Sequence, residues 1–182
     1  MSVTSNAQDA ARGLPLSDDA VTLRPLTPDD RTLFAQARRD PTIAYRFGTQ
    51  KMALDDQIQH FIALLDSGQG GALTIASREH GAVGAMFLEY DESGRGDIGY
   101  WVLSQHRGRG YATRGLRLAG RWALQSLGWA RVQLWIEPDN QPSLRAAQAA
   151  GFAREGLLRS YSAIEGRRCD AVFFSLLPGD LE

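Results

Sequence analysis

The segment Gln105-His-Arg-Gly-Arg-Gly-Tyr-Ala-Thr113 places two glycines one residue apart among two arginines. Glycines so spaced let the backbone turn tightly and gather several amide N–H groups at one point, toward which a following helix directs its positive dipole end. The chemistry on offer is binding of a phosphate or pyrophosphate, although a plain strand-to-helix connection has the same spacing. Residue types separate the phosphate-binding classes. A P-loop needs G-x-x-x-x-G-K-[ST], and no lysine follows these glycines, since Lys51 is the only lysine in the chain. A dinucleotide site of the Rossmann type needs a third glycine and an acid about 20 residues on. Here Thr113 occupies the glycine position and the first acid after the loop is Glu137. What remains is the order Q-x-x-G-x-G, opened by Gln105.

Two further segments accompany the loop: Glu137-Pro-Asp-Asn-Gln-Pro-Ser143 and Ala150-Gly-Phe-Ala-Arg-Glu-Gly156. Together with Ile98-Gly-Tyr-Trp-Val-Leu-Ser104 ahead of the glycines, these motifs resemble, in order, those of the GNAT superfamily of acyl-CoA N-acyltransferases. The likeness is greatest to RimJ/RimL-type protein N-acetyltransferases and runs over roughly residues 21 to 177. The resemblance implies that Gln105, Arg107, Gly108, Arg109, Gly110, Tyr111 and Ala112 surround the pyrophosphate of acetyl-CoA. It also implies that the backbone of Val102 and Leu103 faces the pantetheine arm. Asn140 and Ser143 match an N-x-x-S pattern: by resemblance Asn140 bonds the pantetheine or a water, and Ser143 is a proton donor near the thioester sulfur. As residues alone, both also suit a helix start, with Ser143 as a candidate N-cap. The chain departs from the family pattern at Arg114, where relatives commonly carry an acid, and at Gln148-Ala149, where they often carry Glu-Lys.

Transfer from a thioester to an amine requires a neutral amine, stabilisation of the carbonyl oxygen and protonation of the leaving thiolate. Candidate bases are Glu89, Asp91, Glu92, Asp97, Glu137 and Asp170, each of which also reads as a solvated turn or strand-end acid. Glu89 ranks first because it continues the alternation of Val83, Ala85 and Phe87. The oxyanion donor is expected to be a backbone N–H at Val102-Leu103. An α-amino group, with a free pKa near 7.7–8.0, needs less help than a lysine near 10.4, which favours an N-terminal acceptor. His60 and His106 read as a helix-surface and a loop residue; the resemblance implies that Tyr161 lies in a loop near the acceptor side, as a candidate substrate contact. Tyr100, Trp101, Trp122, Trp129 and Trp135 read as packing residues.

Periodicity supplies the elements that hold these residues. Val21 to Leu26 alternates as a strand, and Thr27-Pro28-Asp29-Asp30 opens a helix to about Arg39, stopped by Asp40-Pro41. Leu54 to Leu65 is an amphipathic helix with Gly68 to Gly71 as its exit, followed by strands at Leu73–Ser77, Val83–Tyr90 and Asp97–Leu103 in an antiparallel meander. A helix from about Gly110 to Leu127 carries Arg114, Arg117 and Arg121 on its polar stripe. The strand Arg131–Glu137 then completes a βαβ crossover, so the strands on either side of that helix are expected to be parallel. A short helix from Ser143 to Ala150 and closing strands at Phe152–Glu155 and Cys169–Leu177 follow. The fold class is α/β (α+β): one domain with a mixed, mostly antiparallel twisted sheet and helices on both faces.

Length and charge agree with this reading. The 182 residues fit one domain, assigned to residues 21–178, with residues 1–20 as a disordered tail. Net charge is −1, yet six arginines and no acid lie between Ser104 and Arg131. A confined basic block fits a small anionic ligand, with Arg107 and Arg109 facing its phosphates and Arg114 in reach of the nucleotide. It does not fit a general nucleic-acid or membrane-surface binder. The single Cys169 excludes an intramolecular disulfide and a Cys-based metal site, and no metal is expected. No signal-like or membrane-spanning run is present, and a cytoplasmic location is expected. The expected activity is direct acetyl transfer from acetyl-CoA to a primary amine of a protein N-terminus or a small molecule, by a monomer or homodimer. A sensor domain that keeps the acyl-CoA loop without efficient transfer is the alternative.

Overall fold

In the computed structural model, residues 13–48, 52–67, 70–91 and 93–181 are described. Their strands are β1 (Leu16–Ser17), β2 (Val21–Pro25), β3 (Gly70–Ser77), β4 (Gly81–Tyr90), β5 (Arg95–Val102), β6 (Arg131–Ile136), β7 (Ala153–Ile164) and β8 (Arg167–Leu176). They form one sheet in the order β1-β2-β3-β4-β5-β6-β8-β7, in which only the β5–β6 pair is parallel. The helices are α1 (Arg31–Ala37), α2 (Pro41–Phe47), α3 (Leu54–Asp66), α4 (Tyr111–Gln125) and α5 (Gln141–Ala149). The meander and the parallel crossover match the sequence reading.

Strand alternation divides the apolar residues between two cores. Val21, Leu23, Met86, Leu88, Ile98, Val102, Val132, Leu134 and Ile136 pack with α4 on one face. Ala85 and Trp101 from the intervening positions pack with Leu33, Phe34 and Ile43 of the first two helices and Ile58 of α3 on the other. Small residues let α4 lie close to the sheet: a Cβ added at Gly120 would come within 2.8 Å of Leu176 Cδ2. Its fixed seat holds the glycine loop at its N-terminus.

Four expectations need correction. Residues 13–20 were assigned to the tail, but Leu16 and Ser17 pair with Leu23 and Thr22, and Arg114 bonds Asp18 (2.9 Å) and Asp19. Ordered structure thus begins before Val21, and Arg114 anchors this turn rather than reaching toward a nucleotide; residues 1–12 lie outside the described residues. Asp40-Pro41 ends one helix and also starts another, α2, because Asp40 Oδ1 accepts from the amides of Thr42 (3.0 Å) and Ile43 (3.2 Å) while Pro41 takes the first helical position. The N-cap of α5 is Asn140, not Ser143. Finally, Tyr161 sits in β7, a long edge strand whose mostly exposed residues lack the buried alternation that marks a strand in sequence.

Candidate active site

Strands β5 and β6 pair at Arg95–Arg131, Gly96–Val132 and Asp97–Gln133, and then part, although β5 continues to Val102 and β6 to Ile136. The opening lies within a cavity of about 920 Å³, lined by Gly99 to Val102 on one side and Leu134 to Glu137 on the other. Register decides which backbone groups face it. The Leu103 amide donates to Val83 O at 3.0 Å, so alternate residues Trp101 and Gly99 also turn toward β4. The peptide groups of Tyr100 and Val102 consequently point into the opening; the Val102 carbonyl accepts from Arg107, which leaves the Tyr100 groups and the Val102 amide for an extended ligand to pair with as an added strand. Leu103 does not: its amide is engaged and its side chain is buried with α1. The expected pairing thus moves from Val102-Leu103 to Tyr100 and Val102, and the Leu103 amide is removed as an oxyanion donor.

The glycine loop forms one end of the cavity. Gly108 and Gly110 have φ of +77° and +78°, the left-handed region that glycine reaches without a Cβ penalty. Gly110 is the N-cap of α4 and brings no side chain to its first amides, which have no intrahelical acceptors. An uncapped helix start beside an open loop suits an anion. Ala112 and Thr113 line the cavity as well.

The other loop residues divide. Arg107 Nη2 donates to Asp40 Oδ2 at 2.7 Å and its Nε to Val102 O at 2.9 Å, so this guanidinium braces the loop against α2. Arg109 is exposed and lines no part of the cavity. Gln105 is turned to the outside, its Nε2 donating to Gln36 at 3.3 Å. The Tyr111 side chain is buried, its hydroxyl 3.1 Å from Ser77 Oγ. Asp40→Ala removes both the α2 cap and the Arg107 brace, and is expected to lower stability by about 1 to 2 kcal/mol in urea denaturation.

Asn140 and Ser143 come together at the start of α5, where Asn140 Oδ1 accepts from the Ser143 amide at 3.4 Å, and both line the cavity. The capping role read from residue type is therefore present alongside an exposure to the site. The buried Tyr100 hydroxyl faces Ser143 without meeting hydrogen-bond geometry, and burial pushes its phenol up. Tyr100 and Trp135, expected only as packing residues, line the cavity.

Three acids reach the site. Glu89 and Asp97 stand opposite each other on β4 and β5. Glu89 is exposed at the rim. Asp97 is half-buried, and that burial holds its carboxyl above the usual aspartate range despite bonds of 3.2 Å from Gln133 Nε2. Glu137 is 5% exposed but paired with Arg46 of α2. Asp97 is thus the acid with the strongest physical case as a base, and Glu89 is its neighbour. The turn between β4 and β5 already sets Glu89 against Asp97; the missing information was that the next strand parts from β5 just beyond Asp97. Glu92 lies outside the described residues. Among the described residues, no group of three His, Cys, Asp or Glu side chains is arranged for a metal ion, and no helix is long and apolar enough to cross a membrane.

A family model described as an acetyltransferase (GNAT) domain matches residues 20–153. The chain belongs to the GNAT acetyltransferase family. As a GNAT domain it is an acyltransferase. It is 30% identical over 170 residues to the uncharacterized N-acetyltransferase p20 of Bacillus licheniformis, covering 89% of this chain and 95% of that protein. Its fold matches RimJ of Mycobacterium smegmatis, solved in complex with CoA-disulfide, with a TM-score of 0.74 at 22% identity over 92% of this chain and 87% of that one. It also matches the microcin C7 self-immunity acetyltransferase MccE, solved with acetyl-CoA and AMP, with a TM-score of 0.77 at 18% identity over 88% and 93% of the two chains. The opening between β5 and β6 and the loop after β5 both lie within the residues that match the GNAT domain.

Proposed function

We propose that this GNAT domain binds acetyl-CoA and transfers its acetyl group directly to the α-amino group of a protein or peptide N-terminus, within a ternary complex. The observation that carries the reading is the single cavity that joins the glycine loop to the Glu89–Asp97 pair through the opening between β5 and β6. The ligands in the MccE and RimJ structures support acetyl-CoA as the acyl donor.

Acetyl-CoA supplies an acyl group activated as a thioester. The amides at Gly108 to Ala112 hold its pyrophosphate, and the Tyr100 peptide groups with the Val102 amide align its extended arm. Asp97 accepts the proton lost by the attacking amine as the C–N bond forms, with Glu89 drawing the incoming ammonium to the rim. Ser143 gives a proton to the thiolate as the C–S bond breaks and regains one from solvent as Asp97 releases its own, with Asn140 fixing the helix turn that presents it. A carboxylate, even one with a raised pKa, is a weak base, which suits an α-amine better than a lysine.

The test is thiol release from acetyl-CoA with N-terminal peptides and free lysine side chains as acceptors. Turnover with the former is expected, and binding of acetyl-CoA with no turnover of any amine would favour a sensor instead. Asp97→Asn is expected to lower kcat about 100-fold. Because a base works only when ionised, activity falls as pH drops through the raised pKa of Asp97, and the substitution removes that acid limb from the pH–rate profile.

A further inference from the structure

We infer that the acceptor side of this cavity takes a primary amine with a bulky apolar group, aromatic or branched aliphatic, on the carbon next to the nitrogen. The inference rests on the acetyl-transfer reading and names the class of acceptor. Alternation along β5 sends Tyr100 and Val102 toward α4 and α5, and Asp97, Gly99 and Trp101 toward the first three helices. The cavity therefore has two compartments that meet at the parted strands. The glycine loop occupies one, which leaves the other to the acceptor.

That second compartment is walled by rings. Phe87 lies 5.0 Å from Phe61 and 5.7 Å from Phe47 between centroids, and Phe34 lies 5.4 Å from Trp101 beneath them. All five line the cavity. Phe47 and Phe87 lie close over the strand at Gly99, where an added Cβ would sit at contact distance, 3.6 Å from Phe47 and 3.9 Å from Phe87. Phe47 remains 37% exposed, an apolar surface that a ligand can cover.

Charge at the same place selects the ligand's polar end. Arg46 faces the compartment from α2 but is engaged by Glu137 and Asp139. Neither Glu89 nor Asp97 forms an ion pair among the described residues: Arg95 and Arg131 act on Asp97 only from a distance, paired as they are with Asp91 and Glu155, and the hydrogen-bond partner of Asp97 is the neutral Gln133. A cation beside an aromatic wall satisfies both halves: the ammonium meets the acids and the apolar group displaces water from the rings. A small amine such as that of glycine fills only the first half.

The experiment compares phenylalaninamide, leucinamide and glycinamide, three α-amines that differ in the neighbouring group. In thiol release, kcat/KM for phenylalaninamide is expected to exceed that for glycinamide about 30-fold, with leucinamide also well above glycinamide. Phe87→Ala should reduce the phenylalaninamide-to-glycinamide ratio about tenfold, and Phe47→Ala, a partly exposed site that a truncation does not strain, about threefold. A ratio near one, a preference for glycinamide, or a ratio unchanged in both variants overturns the inference. Calorimetric binding of the amides without acetyl-CoA gives a second reading, in which tighter binding of phenylalaninamide supports the apolar wall and equal binding overturns it. Failure of the unmodified protein to bind acetyl-CoA would sink the transfer reading separately.

Discussion

Gly110→Val is expected to weaken acetyl-CoA binding about 1000-fold in calorimetry, equivalent to about 4 kcal/mol, the scale of two lost hydrogen bonds to a charged group. Gly110 holds φ at +78° as the N-cap of α4, and a β-branched residue does not sit there without strain. Relief of that strain turns the first amides of α4 away from the point on which the loop converges. The substitution also costs about 1 to 2 kcal/mol of stability, so a control is needed. Gly128, beyond the far end of α4, has φ of +70° and, like Gly110, nothing within 4 Å of an added Cβ. Gly128→Val should therefore lose similar stability and keep acetyl-CoA binding. Were Gly110→Val to lose stability alone, with binding within threefold of the unmodified protein, the loop would be a plain connection between β5 and α4.

Asp30→Ala is expected to destabilise the fold by about 2 to 3 kcal/mol in urea denaturation, because it removes the buried acceptor shared by Arg24, Thr27 and Thr74. Asp30 is 3% exposed and accepts from Arg24 Nη1 and Nη2 at 2.8 and 2.7 Å, from the Thr27 amide at 3.0 Å and from the Thr74 hydroxyl at 2.9 Å. One carboxylate thus ties β2, the turn before α1 and β3 together. Burial pushes this carboxyl up, but the bonds from Arg24, Thr27 and Thr74 outweigh it and hold it below the usual range. A carboxyl with a depressed folded-state pKa contributes stability that is complete above its unfolded value, near 3.9, and lost as pH falls through the folded value. Asp30→Asn should accordingly flatten the loss of stability below about pH 4. An unchanged acid slope would assign that slope to other carboxylates.

The arginine block separates under this geometry into residues with different work. Arg107 braces the loop on Asp40, Arg114 holds the β1–β2 turn, Arg117 donates to the Ala149 carbonyl at the end of α5, and Arg131 pairs with Glu155. Clustering in sequence therefore does not mean clustering on a ligand. Under the proposed reading the loop would hold its anion through backbone amides, since Arg107 is spent on Asp40 and Arg109 lines no part of the cavity.

Local chemistry was legible in the residues themselves. The Q-x-x-G-x-G loop, the alternation of Val132, Leu134 and Ile136, the stripe of α4 and the parallel crossover all depend on neighbours within one or two turns or strands, and each is present in the fold. The same is true of the Asn140–Ser143 turn. Helix α2 was hidden although its signals were local, because Asp40-Pro41 is chemically both a stop for one helix and a start for the next.

Tertiary structure alone decided that the Asp97 carboxyl is raised, which backbone groups are free and what lines the proposed acceptor side. Asp97 and Glu89 are equivalent as residues. Burial beneath elements distant in sequence raises the Asp97 carboxyl, against the lowering bond from Gln133 of β6. The opening between β5 and β6 likewise depends on where two strands stop pairing, a long-range register that no local period encodes. The sequence by itself thus determined a glycine loop at a helix start and the fold that carries it. The meeting of that loop with an aromatic, acidic compartment was decided by the packing of α2 and α3 over the sheet, since side chains more than 40 residues apart acquire a common environment only when the chain closes on itself.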